Sequence, residues 1–180
     1  MMTTMQNQPT TDRTTLHART TGLPFLKIAW ILMLLLGAFF VFAALSDLNA
    51  DRSAGIPIDH TGAFANVTGV SFASIKQSSP EVARYITLLE VAYAVHELVF
   101  GILFLVILAI PFRRRMRWAW FACWAVMLAN ITYSLTFGRH DGTTLYRSLV
   151  ADIALPILLL AHIPAFFGRH TARTAASVGV

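Results

Sequence analysis

The sequence predicts an all-α integral membrane protein, a bundle of four transmembrane helices with both termini inside and one long outer loop between spans 1 and 2. Two observations carry that class. Of the 180 residues, 56% are hydrophobic and only 13% charged, with a mean hydropathy of +0.62, whereas a soluble domain carries about a quarter charged residues. Apolar runs long enough to cross a hydrocarbon core, roughly 20 residues each, occur four times. The formal charge of +5 comes from 14 basic against 9 acidic residues. Most of the basic residues flank apolar runs, the pattern of a topology signal rather than of a nucleic-acid partner.

Residues 1–22 are rich in Thr, Gln and Asn without apolar periodicity and read as a disordered cytoplasmic tail. The membrane domain covers 23–168. Its first span, about 24–48, has an apolar core too long for a signal peptide. Residues 49–81 form the largest non-membrane segment, too short for a core of its own, and fit a short helix or hairpin packed over the bundle mouth. The second span covers about 82–112, with Pro80 suited to the first helical turn and Pro111 to the end. The basic run Arg113–Arg117 makes a tight turn into the third span, about 118–137. A polar link, Gly138 to Thr144, precedes the fourth span, about 145–167, and Gly168 leads into a cytoplasmic tail at 169–180.

Orientation follows from counting. With both termini inside, the inner side holds Arg13, Arg19, Lys27, Arg113, Arg114, Arg115, Arg117, Arg169 and Arg173, against Arg52, Lys76, Arg84, Arg139 and Arg147 outside. Nine against five is the expected direction, and Trp30, Trp118, Trp120 and Trp124 fall toward the same inner half. The expected location is therefore a bacterial plasma (inner) membrane.

Ionisable groups inside spans point to the candidate site, because charge at bilayer depth faces a bundle interior and finds a partner there. At a rise of about 1.5 Å per residue, Glu97, Asn130 and Asp152 lie roughly 20–22 Å above their inner helix ends. Three polar residues on three helices thus reach one level. Glu90, Tyr93 and Glu97 share a stripe of the second span. His96 lies about 100° around that helix from Glu97. Arg147 stands little more than one turn above Asp152, and Asp47, Arg139, His140 and Asp141 form an outer rim.

Two chemistries compete for this layer. As structural glue, the polar groups hydrogen-bond across helices for about 0.6–2 kcal/mol each and fix register, with Arg147 or Arg139 neutralising an acid. As a pocket, two acids with no cation certainly at their level suit proton-coupled binding of a cation or small polar molecule.

No metal or cofactor is expected. A haem between His96 and His162 would need ligands at one height, and theirs are roughly 22 and 8 Å. Glu90, His140 and Asp141 are the residues from which a metal set would come, but His–Asp pairs in loops are ordinarily solvated. Cys123, the single cysteine, excludes an intramolecular disulfide and a CxxC centre. The enzyme motifs HExxH, P-loop and dinucleotide fingerprint are absent, and Gly69–Ala73 is an incomplete nucleophile elbow. Asn66-Val67-Thr68 is a formal sequon.

Four spans, a long first outer loop and a short basic turn before Arg117-Trp118-Ala119-Trp120 are similar in outline to the DoxX-like group of small bacterial membrane proteins. The similarity is one of layout and implies no activity or site residue. The sequence reading is a non-enzymatic structural or accessory membrane protein, with a proton-linked transporter or ligand-binding protein as the alternative. An enzyme acting at the outer face through His140 is the second alternative. Its expected partners are the lipid bilayer and a second copy or a larger membrane complex.

Overall fold

The computed structural model describes residues 13–168, with side chains from residue 24 onward. Residues 1–12 and 169–180 of the expected tails lie outside the described residues.

The described chain is helical throughout its elements: α1 (Arg13–Ser53), α2 (Ile58–Thr68), α3 (Phe72–Ser78), α4 (Pro80–Ile107), α5 (Arg117–Phe137), α6 (Gly142–Ala161) and α7 (Ile163–Phe167). Four stretches are long and apolar enough to cross a membrane: Pro24–Ser53, Pro80–Phe112, Arg117–His140 and Gly142–Phe167. Each runs one to five residues beyond the hydropathic span at one end or both. Residues 13–22, expected as tail, continue α1 in backbone, since extending a formed helix adds one hydrogen bond per residue without a new nucleus.

Local chemistry sets the breaks. Asp141 caps α6, its Oδ2 accepting from the Thr144 N–H at 2.9 Å and from the Thr144 hydroxyl at 2.8 Å. Ser71 caps α3 by accepting from Ser74 N at 3.1 Å. Gly69 ends α2 in the left-handed conformation, φ 74°, where a side chain would be strained. Pro111 has no N–H to give, and the end of α4 opens into a π turn over Leu108–Phe112. The Leu108 carbonyl there accepts from Trp30 Nε1 at 3.0 Å.

The long helices close a ring in which α1 packs mainly on α4, α5 on α6, and α1 on α6. Met33, Phe40, Phe104, Leu108, Phe112, Cys123, Val126, Leu155 and Leu159 fill its centre. The outer flanks are apolar as well, with Phe42, Leu128, Leu135 and Ile157 at least 60% exposed. That inside-out pattern fits a lipid surround rather than water.

Backbones approach closely where α1 meets α4. A Cβ on Gly101 would stand 3.2 Å from the Val41 backbone nitrogen, and one on Gly37 would stand 2.7 Å from Leu105 Cδ2. Small residues at such crossings let helices pack by dispersion where no hydrophobic effect drives them together. Gly101→Leu is therefore expected to lower stability by about 1–3 kcal/mol, the usual result of overpacking. Thermal unfolding in detergent reads it, and an unchanged midpoint would mean that the α1–α4 contact is looser than it looks.

Candidate functional site

The segment between the first two spans folds back onto the bundle as α2 and α3, and α2 carries the centre of the polar site. His60, on the first turn of α2, is 2% exposed. Its Nδ1–H donates to Glu90 Oε2 on α4 at 2.9 Å, and its Nε2 meets the Tyr133 hydroxyl on α5 at 3.0 Å. The hydroxyl donates to a neutral ring and accepts from a protonated one. Phe137 stacks on the imidazole with centroids 4.8 Å apart and planes within 9°. One side chain thus ties three helices together.

Further contacts press α2 onto the turn between α5 and α6. Thr144 Oγ1 lies 2.8 Å from Asp59 O and shares its one proton between that carbonyl and Asp141 Oδ2, and Asn66 Nδ2 donates to His140 O at 2.6 Å. Gly62 lies against the cap of α6, where an added Cβ would be 2.8 Å from Asp141 Oδ1. The formal sequon asparagine is therefore a docking residue. α3 completes the cover through Phe72, packed with Ile56 and Ala83.

The expected site residues divide. Asn130 and Asp152 come together, the Asn130 amide donating to Asp152 Oδ1 at 2.5 Å. Glu90 is partnered, but by His60. Tyr93 stacks on Tyr133 with centroids 6.2 Å apart and is 37% exposed. Glu97 is half-buried on α4, outside the Asn130–Asp152 bond. His96 is exposed and bonded through Nδ1–H to Ala92 O of its own helix at 2.6 Å. Asp47 is half-buried.

The arginines expected to neutralise the acids do not pair with them. Among the described residues the ion pair is His60–Glu90. Arg147 is exposed, and Arg139 donates through Nε to His140 Nε2 at 2.9 Å. A guanidinium near the helix ends keeps its hydration by pointing outward. His140, through its carbonyl, and Asp141 lie under α2. Hydrogen bonds from the Thr144 backbone and hydroxyl hold the Asp141 carboxyl below the usual carboxylate range, with Arg147 adding to the effect.

His60, Tyr133, Asp51 and Asp59 were not anticipated. A signal for His60 was present: with Ala63 and Phe64 it sits at i, i+3, i+4, the spacing of a buried helical face. Asp51, one turn beyond Asp47, is 2% exposed, and neither carboxylate oxygen has a hydrogen-bond partner among the described residues.

No protein-family profile, curated protein or solved structure matches the chain. The similarity to the DoxX-like group therefore rests on layout alone.

Burial opposes a charge on His60, but the Glu90 hydrogen bond and charge, with Asp59 and Asp47 beside them, outweigh it and raise the imidazole above its ordinary value. A raised folded value contributes stability that is fully present below about pH 6.5 and is lost as pH rises through the folded value. The thermal midpoint of the wild type is thus expected to fall more steeply than that of His60→Asn as pH is raised from about 6 to 9. Parallel curves for the two proteins would remove His60 as the titrating group.

Docking of α2 is separately testable. Gly62→Ala should speed hydrogen exchange of the α2 amides about tenfold for each 1.4 kcal/mol of docking lost. Amides in the middle of α4 and α5 should be unaffected. Uniform acceleration across all helices would instead indicate global destabilisation.

Proposed function

We propose that this is a non-enzymatic multi-pass membrane protein, a structural or accessory component, in which the polar site latches the α2–α3 cover onto the four spans. The observation that carries this reading is the state of His60. A general base needs open reach to the proton it takes, whereas His60 is 2% exposed and engaged at both nitrogens. The Asn130–Asp152 bond supports the same role, because interhelical polar pairs fix register.

In this reading the α2–α3 end faces the outside of a bacterial plasma membrane, and both termini and the Arg113–Arg117 turn face the cytoplasm. The nine-to-five basic count supports it. So does the gathering of aromatics with the basic turn: Arg113 lies 5.4 Å from the Trp30 ring centre, and Arg117 5.6 Å from that of Phe167. The lipid-facing apolar flanks leave room for a second copy or a larger membrane complex.

A second reading, ligand binding, has one observation in its favour. Asp51 lines a cavity of about 320 Å³ together with Arg52, Lys76, Arg84 and Thr87. An acid and three cations around one space suit a small zwitterion.

Single cysteines at Val67 and Arg114, placed in a Cys123→Ser background, test the orientation. A membrane-impermeant maleimide added to intact cells should label position 67 and spare position 114; the reverse would turn the topology over. Role is tested by affinity purification in mild detergent. An accessory component should bring a second copy or a partner with it, and Glu97→Gln and Asp152→Asn should leave that association intact. Proton movement into proteoliposomes, abolished by Glu97→Gln or Asp51→Asn, would instead establish the proton-linked alternative.

A further inference from the structure

The opposite end of the bundle from His60 carries a second cavity, of about 460 Å³. Lys27 and Trp30 of α1, Phe112 at the end of α4, Arg113 and Arg115 of the turn, and His162 between α6 and α7 are among its walls. Among the described residues the charge there has one sign: the lining includes three permanent cations and no carboxylate. The walls between the cations are largely apolar, with Phe112 edge-on to His162 at 5.0 Å and tilted against Phe166 at 4.7 Å.

Two further features single this cavity out from an ordinary gap at a helix end. His162 is 4% exposed and its Nδ1–H donates to Leu158 O at 2.7 Å, yet its Nε2 is buried without a partner among the described residues. Buried polar atoms are nearly always bonded, so an orphan in a cavity wall marks a place for a polar group. Arg115 holds φ at +57°, a conformation that side-chain-bearing residues seldom adopt and that recurs at binding sites. The turn accepts that strain and brings a third cation to the cavity.

We propose that this cavity binds the phosphate of an acidic membrane phospholipid, with its acyl chains lying along the apolar flanks of α1 and α6. Lys27, Arg113 and Arg115 meet the phosphate charge, and His162 Nε2, the acceptor nitrogen of a ring whose Nδ1–H goes to Leu158 O, takes a headgroup hydroxyl such as that of glycerol. The inference goes beyond the latch reading and does not depend on it. A lipid fits better than a soluble anion because the cavity joins a cationic mouth to apolar walls at the end of membrane spans. Basic pockets between spans on the cytoplasmic side are the usual place for such headgroups, in keeping with the orientation proposed above.

The test uses the full-length protein in nanodiscs of equal phosphatidylcholine and phosphatidylglycerol, with retained lipid counted by native mass spectrometry. Phosphatidylglycerol should be enriched at least tenfold among the retained lipids. The triple variant Lys27→Gln/Arg113→Gln/Arg115→Gln should lose that enrichment. Arg114→Gln/Arg139→Gln/Arg147→Gln removes the same charge from residues outside the cavity lining and should keep it. Equal retention of both lipids overturns the proposal, as does a triple variant that still selects phosphatidylglycerol. Inorganic phosphate is the second arm: if millimolar phosphate displaces the acidic lipid, or raises the thermal midpoint as much as the lipid does, the site belongs to a soluble anion and the lipid assignment fails.

Discussion

Within the hydrocarbon layer there is no water to satisfy a polar group, so a partner inside the protein is worth more there. Much of this structure follows from that constraint. The Trp30 and Trp120 ring N–H groups go to the carbonyls of Leu108 and Leu159. Asn130 goes to Asp152, and Ser134 turns back to the Asn130 carbonyl. Glu90 has no such partner on the neighbouring spans, and the connection between α1 and α4 must supply one. The position of α2 is thus set by a carboxylate on α4 as much as by its own apolar face.

The same medium explains how the spans pack. Apolar side chains gain nothing by leaving lipid for the bundle interior, so contact is improved by bringing backbones close. Gly37 and Gly101 do this between α1 and α4, where an added methyl group would press on Leu105 and on the Val41 backbone. Larger residues, Phe104 and Phe112 among them, then fill the centre, Phe104 lying beside Gly37. Outside the membrane the logic reverses: α2 and α3 bury Ile56, Phe72 and Ala83 beneath them, as a soluble domain would.

The spans were legible because hydropathy is a property of each residue summed over a window, and four windows passed it. Pro80 marked the start of α4, but the start of α6 was less legible, because Asp141 sets it by hydrogen bonding, which hydropathy does not report. The Asn130–Asp152 bond could be read from helical rise, since both residues lie on regular helices that start from a known edge. The His60–Glu90 bond could not. It joins a span to a segment with no fixed height, 30 residues away in the chain, and a histidine in a polar connection reads as solvated. Asp51 was hidden for a related reason: the hydropathic span ends near residue 48, whereas α1 continues to Ser53 and carries that acid into the covered region.

Why a histidine holds this junction follows from its shape. A lysine at position 60 would offer Glu90 a strongly hydrated point charge, which loses much on burial, and would have no flat face for Phe137. An arginine has the face but only donors, so Tyr133 would lose the option of donating. Imidazole has two nitrogens on opposite sides of a small ring, so it reaches α4 and α5 at once. It can also do so neutral, when burial disfavours charge, or protonated, when Glu90, Asp47 and Asp59 favour it. That tolerance lets the latch persist through a change of protonation while altering its strength. The cover is therefore held by the side chain at this site whose grip depends most on the acidity of the space it faces.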